Sequence, residues 1–101
     1  MKRVRVSGQA VRDLDDIWLY TAKKSGSIKI ADKLIDSITL VFPILASTPK
    51  AGASRDNIHP GLRAFPAAGK YLVYYKESGP RMVVVRVLHG MRDQWRAYRQ
   101  A

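Results

Sequence analysis

The sequence predicts an α+β fold: an antiparallel sheet of about four strands, an N-terminal helical hairpin packed on one face, and a short C-terminal helix, in the order β-α-α-β-β-β-α. Three observations carry the prediction. Apolar residues recur every three or four positions between residues 8 and 45, the spacing of amphipathic helices. They alternate or run continuously over residues 62–89, the pattern of strands. Clusters of Gly, Pro and Ser fall between these runs, where turns belong.

Lys2 to Ser7 alternates Val4 and Val6 with Arg3 and Arg5, a half-buried strand. Ser7 is placed to cap a helix running from Gly8 to about Lys24, with Val11, Leu14, Ile17, Trp18 and Thr21 as its apolar stripe. Asp13, Asp15 and Asp16 occupy its early turns, where the helix dipole favours acidic side chains. Ser25-Gly26-Ser27 stops this helix, and Ser27 caps a second whose stripe is Ile30, Leu34, Ile38, Val41 and Leu45. So short a connection makes an antiparallel hairpin. Pro43 is expected to kink the last turns of the second helix.

Between Ser47 and Gly61 the chain reads as a loop that builds no core. Three strands follow, Leu62 to Phe65, Lys70 to Lys76 and Met82 to His89, joined by connections short enough for hairpins. They form an antiparallel meander. Gly90 closes the last strand, and residues 91–100 complete the fold as a helix with Met91, Trp95 and Tyr98 on one side and Arg92, Arg96 and Arg99 as an adjacent basic rail. With 101 residues the chain is one domain, residues 1–101, with one core.

Eighteen Lys and Arg against eight Asp and Glu leave a net charge of +10. So large an imbalance on so small a body points to an acidic partner: nucleic acid, an anionic membrane surface or an acidic protein. There is no cysteine, which excludes disulfides, thiol catalysis and cysteine-based zinc sites. The amino end lacks the apolar run of a signal peptide and no stretch suits a membrane span, so a cytoplasmic location is expected. Arg86 interrupts an apolar strand and must face the open side of the sheet or have a buried partner. Arg3, Arg5 and Arg63 occupy outward phases of their strands and, if register permits, join Arg86 in one basic surface.

Other candidate chemistry is thin. Asp13 and Asp16 share a helix face, yet no third metal ligand is in view, and the dipole explains them without a metal. His59 sits in a loop and His89 at a strand end, and nothing in the sequence brings them together as an acid/base pair. Trp18 and Tyr20 serve either as core or as aromatic anchors for a partner helix, because Ile17 and Trp18 cannot both point inward with Leu14.

Four stretches carry a resemblance in order along the chain: AVRDLDDIWLY (10–20), ILASTPKAG (44–52), GLRAFPAAGKYLVYY (61–75) and VRVLHGMRD (85–93). They resemble the RelE/ParE superfamily of bacterial type II toxin-antitoxin modules, and look closest to the ParE branch. The resemblance implies a toxin that binds and poisons DNA gyrase, needs no cofactor, and is neutralised by an acidic ParD-like antitoxin in a hetero-oligomer. It implies no membrane partner, and no sequence-specific DNA binding without the antitoxin.

On this reading Arg92, Trp95, Arg96, Tyr98 and Arg99 contact the target, and Trp18, Tyr20, Arg63 and Arg86 contact the antitoxin. The alternative implied by the same superfamily is a ribosome-dependent endoribonuclease of the RelE kind, with Arg63, Arg86, Arg92 and Tyr98 as its catalytic set. Against it, the RelE branch usually carries an arginine just before the hairpin turn, where this chain has Pro66. A third class, an inactive member kept for operator regulation, fits the same residues.

Overall fold

The structure, a computed structural model, describes residues 1–90. The helix expected over residues 91–100, and with it Arg92, Trp95, Arg96, Tyr98 and Arg99, lies outside the described residues. In chain order the elements are β1 (Arg3–Val6), α1 (Gly8–Ser25), α2 (Ile28–Thr39), α3 (Val41–Ser47), β2 (Ala53–Ser54), β3 (Arg63–Ala67), β4 (Tyr71–Ser78) and β5 (Arg81–His89). The α+β class holds, as do the helical hairpin and the β3-β4-β5 meander.

The caps act where the sequence places them. Ser7 Oγ accepts the Ala10 N–H at 3.0 Å and opens α1. Gly26, at φ 69°, closes it in the left-handed conformation that glycine takes without strain. Ser27 Oγ then accepts the Ile30 N–H at 3.1 Å to start α2.

The second expected helix is two helices. The break falls at Leu40, ahead of Pro43, because a proline ring clashes with the carbonyl four residues earlier, here that of Thr39. Pro43 itself sits in the first turn of α3, where a missing N–H forfeits no intrahelical bond.

The sheet has five strands in the order β1-β5-β4-β3-β2. The strand beyond the expected four is the two-residue β2, which pairs antiparallel with β3 inside the segment expected to be loop. β1 lies parallel to β5, so the sheet is mixed and not antiparallel throughout as expected; three helices and strands β2 to β4 separate the two in the chain, and no tight turn obliges them to run in opposite directions. Between Tyr74 and Tyr75 the β4-β5 register shifts: Tyr74 pairs with Arg86 and Tyr75 with Val84, which leaves Val85 as an extra residue.

Both faces of the sheet bury apolar side chains. Against the helices, Val73, Tyr75, Met82, Val84 and Val87 pack with Ile38, Phe42 and Leu45. On the opposite face Tyr74, Leu62 and Ala64 form a second cluster with Ile58, Leu72, Val85 and Leu88. Ile58 and Leu62 bring the 55–62 segment over that face, so this loop does contribute core. Along α1 the inner positions go to Ala10 and Asp13, whereas Val11, expected in the stripe, is 45% exposed.

Candidate functional site

β1 ends at Val6 while β5 runs on to His89, so β5 beyond Val84 has no strand on that side. Unpaired edge N–H and C=O groups must find other partners, and the start of α1 supplies them. The Ser7 N–H donates to the Val84 carbonyl at 3.0 Å, and Ser7 Oγ donates to the Val85 carbonyl at 2.9 Å. Asp13 Oδ2 accepts the Val87 N–H at 3.0 Å.

The same carboxylate holds Arg86. Arg86 Nε donates to Asp13 Oδ2 at 2.8 Å, and Nη2 donates to Oδ1 at 3.0 Å, a bidentate fork. Gln9 Nε2 adds a longer contact to Oδ1 at 3.4 Å. Of the alternatives left by the sequence for Arg86, the structure takes the buried partner. Asp13 serves the sheet edge and this guanidinium, which accounts for it without a metal.

The single basic surface of Arg3, Arg5, Arg63 and Arg86 does not form. Arg63 pairs in register with Tyr75, on the helical face, because Leu62 and Ala64 are buried on the other one. Its Nη1 donates to the Gly52 carbonyl at 2.7 Å. β3 is also separated from β1 by two intervening strands.

Beside Asp13 and Arg86 opens a cleft of about 720 Å³ between α1 and the ends of β4 and β5. Asp16, Ile17 and Tyr20 line one wall, and Lys70, Tyr71 and His89 the other. Tyr71 and His89 meet edge to face, with ring centroids 5.5 Å apart. His59 lies elsewhere, in the 55–62 segment with its Nδ1 3.0 Å from the Pro60 carbonyl oxygen.

The two aromatic candidates on α1 separate. Trp18 is half-buried and its indole N–H donates to Asp32 Oδ1 at 2.7 Å, tying α1 to α2. Tyr20 is 59% exposed, in company with Leu19, Ile28 and Ile30 on the hairpin.

Sequence reasoning missed the Tyr75 anchor. Its hydroxyl donates to the Pro49 carbonyl and accepts the Gly52 N–H, each at 2.7 Å, and so fixes the 49–52 turn against the sheet. The signal was the YY pair itself, since adjacent strand residues face opposite sides and both are large. Among the described residues no group of three His, Asp or Glu gathers to hold a metal. No described helix is long and apolar enough to cross a membrane.

A solved structure titled "Chromosomal ParDE TA system from P. aeruginosa" superposes with a TM-score of 0.77, covering 88% of this chain and 96% of that one. At 21% identity the likeness speaks for the fold. Toxin ParE1 of Caulobacter vibrioides is 35% identical over 89 residues, 88% of this chain and 90% of that protein. Toxin ParE1 of Mycobacterium tuberculosis is 30% identical over 92 residues, 90% of this chain and 92% of that protein. The family model for the ParE toxin of the type II toxin-antitoxin system parDE matches residues 4–94. With nine-tenths of its length matched in this way, the chain belongs to the ParE toxin family of type II toxin-antitoxin systems.

Proposed function

We propose that this ParE-family toxin inhibits DNA gyrase by protein binding, without cofactor or bond-breaking chemistry, and is neutralised in the cytoplasm by an acidic ParD-like antitoxin. The observation that carries the non-enzymatic reading is the Asp13–Arg86 fork. A nuclease of the RelE kind needs Arg86 turned to its message, and here a carboxylate engages Nε and Nη2 together. Arg63 is likewise engaged, by the Gly52 carbonyl. Pro66 stands exposed on β3 where the RelE branch usually carries an arginine.

The gyrase contacts are assigned to Arg92, Trp95, Arg96, Tyr98 and Arg99. The antitoxin contacts are assigned to Trp18, Tyr20, Arg63 and Arg86; Tyr20 and Arg86 line the same cleft, with Tyr20 as the exposed anchor and Arg86, held by Asp13, as a lining group and not an ion-pair partner. A net charge of +10 favours an acidic partner and makes the complex salt-sensitive.

The deciding experiment is a gyrase supercoiling assay with purified toxin, with and without antitoxin. Inhibition that antitoxin relieves is the expected result. In cells, induction should halt DNA synthesis before transcripts are cut; cut transcripts with normal replication would overturn the reading in favour of the nuclease.

A further inference from the structure

The face of the sheet away from the helices carries a cluster of cations that the sequence only half reveals. Met82 and Val84 point to the helical core, so Arg81 and Val83 point the other way. Register then sets Arg3 beside Arg81, and places Arg5, Val83 and Lys76 in one row across β1, β5 and β4. Strand geometry spaces Arg3 and Arg5 by about 7 Å and neighbouring strands by about 4.8 Å. Four cations therefore stand over an area of about 7 by 10 Å, with half-buried Val83 as its floor.

Among the described residues the side chains of Arg3, Arg5, Lys76 and Arg81 have no hydrogen bond or ion pair. Glu77, the one carboxylate on these three strands, pairs with Met82 and so points to the helical face, where it lies 3.7 Å from Lys2 Nζ. Like charges directly opposite each other destabilise a strand pair, and Arg3 beside Arg81 is such a pair. Among the described residues no carboxylate relieves this repulsion, and an anion from outside would.

We propose that this face, formed by Arg3, Arg5, Lys76 and Arg81, binds the phosphodiester backbone of a nucleic-acid duplex without reading sequence. Three of the four are arginines, whose planar fork suits phosphate oxygens. A folded acidic protein would want apolar anchors to bury, and the row offers only Val83; the exposed apolar side chains Tyr20, Ile28, Ile30 and Leu40 are on the helical elements. Single strands are held largely by stacking on aromatic rings, and among the described residues the aromatic on this face, Tyr74, is 1% exposed. Backbone contact releases counterions and needs neither feature.

The test is fluorescence anisotropy of a short labelled DNA duplex of mixed sequence, titrated with purified toxin over a range of salt. Two variants of equal charge are compared: Arg3→Gln/Arg5→Gln/Lys76→Gln/Arg81→Gln on the sheet, and Lys23→Gln/Lys24→Gln/Lys29→Gln/Lys33→Gln on the helical hairpin. The sheet variant is expected to bind about tenfold or more weakly, and its slope of log affinity against log salt to fall by about three. The hairpin variant should lose about one unit of slope or less.

Thermal melting of the sheet variant should be unchanged or raised, since it removes repulsion, so lost binding would not reflect unfolding. An RNA duplex in place of DNA tells which duplex supplies the phosphates, and binding of either supports the proposal. Equal losses in the two variants would overturn it in favour of diffuse charge. Tighter binding of a single strand, or of polyglutamate, than of either duplex would overturn it as well.

Discussion

Arg86 and Asp13, 73 residues apart in sequence, form a bidentate pair with side chains 11% and 8% exposed. The pair closes the α1-β5 junction at the point where β1 gives out. Asp13 also takes the Val87 N–H, so one carboxylate satisfies a buried guanidinium and a strand edge.

Removing Asp13 therefore takes the bidentate partner from Arg86 and the acceptor from the Val87 N–H together. Asp13→Ala should lower the unfolding free energy by about 3–5 kcal/mol, the usual cost of breaking a buried pair from one side. The measurement is urea denaturation followed by circular dichroism. Asp13→Leu combined with Arg86→Met should recover much of the loss, because the buried charge goes with the carboxylate. A loss under about 1 kcal/mol in the single variant would mean that water already reaches the pair.

This pair also marks the limit of what the chain discloses by pattern. Helix starts and the meander were legible because Ser7, Ser27 and Gly26 act within a few residues of themselves. Arg86 was legible as a problem: an arginine in an apolar strand needs either solvent or a partner. Its answer was not, since the helix dipole offered a ready account of Asp13, although α1 has no acidic residue in its first turn, and only the tertiary fold brings Asp13 to β5.

Arg63 failed for a related reason. Alternation says which residues share a face but not which face is buried, and here both are. The interruption expected from Pro43 is present, and it falls at Leu40 because the proline ring clashes with the carbonyl one turn earlier.

The Tyr75 anchor gives a second prediction. Tyr75→Phe removes both hydrogen bonds and leaves the buried Gly52 N–H unpaired, at a cost of about 1–3 kcal/mol. Gly52→Ala should be at least as severe. A Cβ there would lie 2.6 Å from the Tyr75 hydroxyl and 3.0 Å from the Ala64 carbonyl oxygen, and neither the buried ring nor the strand can retreat easily. Thermal melts of both variants check this, and a melting point for Gly52→Ala equal to wild type would contradict the packing.

Alkaline pH should unfold the protein through the same ring. Burial raises the Tyr75 phenol above its ordinary value of 10.0, offset in part by the Gly52 N–H and by Arg63. Burial raises Tyr74 as well. The fold thus favours the neutral phenols, so their contribution to stability is complete below pH 10 and is lost as pH rises through the raised folded values. Urea midpoints should fall in that range, with phenolate absorbance rising in step with unfolding. Tyr75→Phe should flatten the decline. An equally steep decline in that variant would assign the effect to other groups.

Antitoxin binding should separate the two aromatics of α1. Tyr20 is 59% exposed, so Tyr20→Ala should change stability by no more than about 0.5 kcal/mol. An aromatic at the centre of an interface contributes about 2 kcal/mol or more to binding, so the same variant should weaken antitoxin at least about thirtyfold at equal salt. Trp18 carries a structural bond to Asp32, and Trp18→Phe should lower stability by about 1 kcal/mol while affecting affinity less. Calorimetric titration of each variant with antitoxin, alongside its urea curve, reads both quantities. If Tyr20→Ala binds like wild type while Trp18→Phe does not, the antitoxin lies over the α1-α2 seam and leaves the cleft beside Arg86 uncovered.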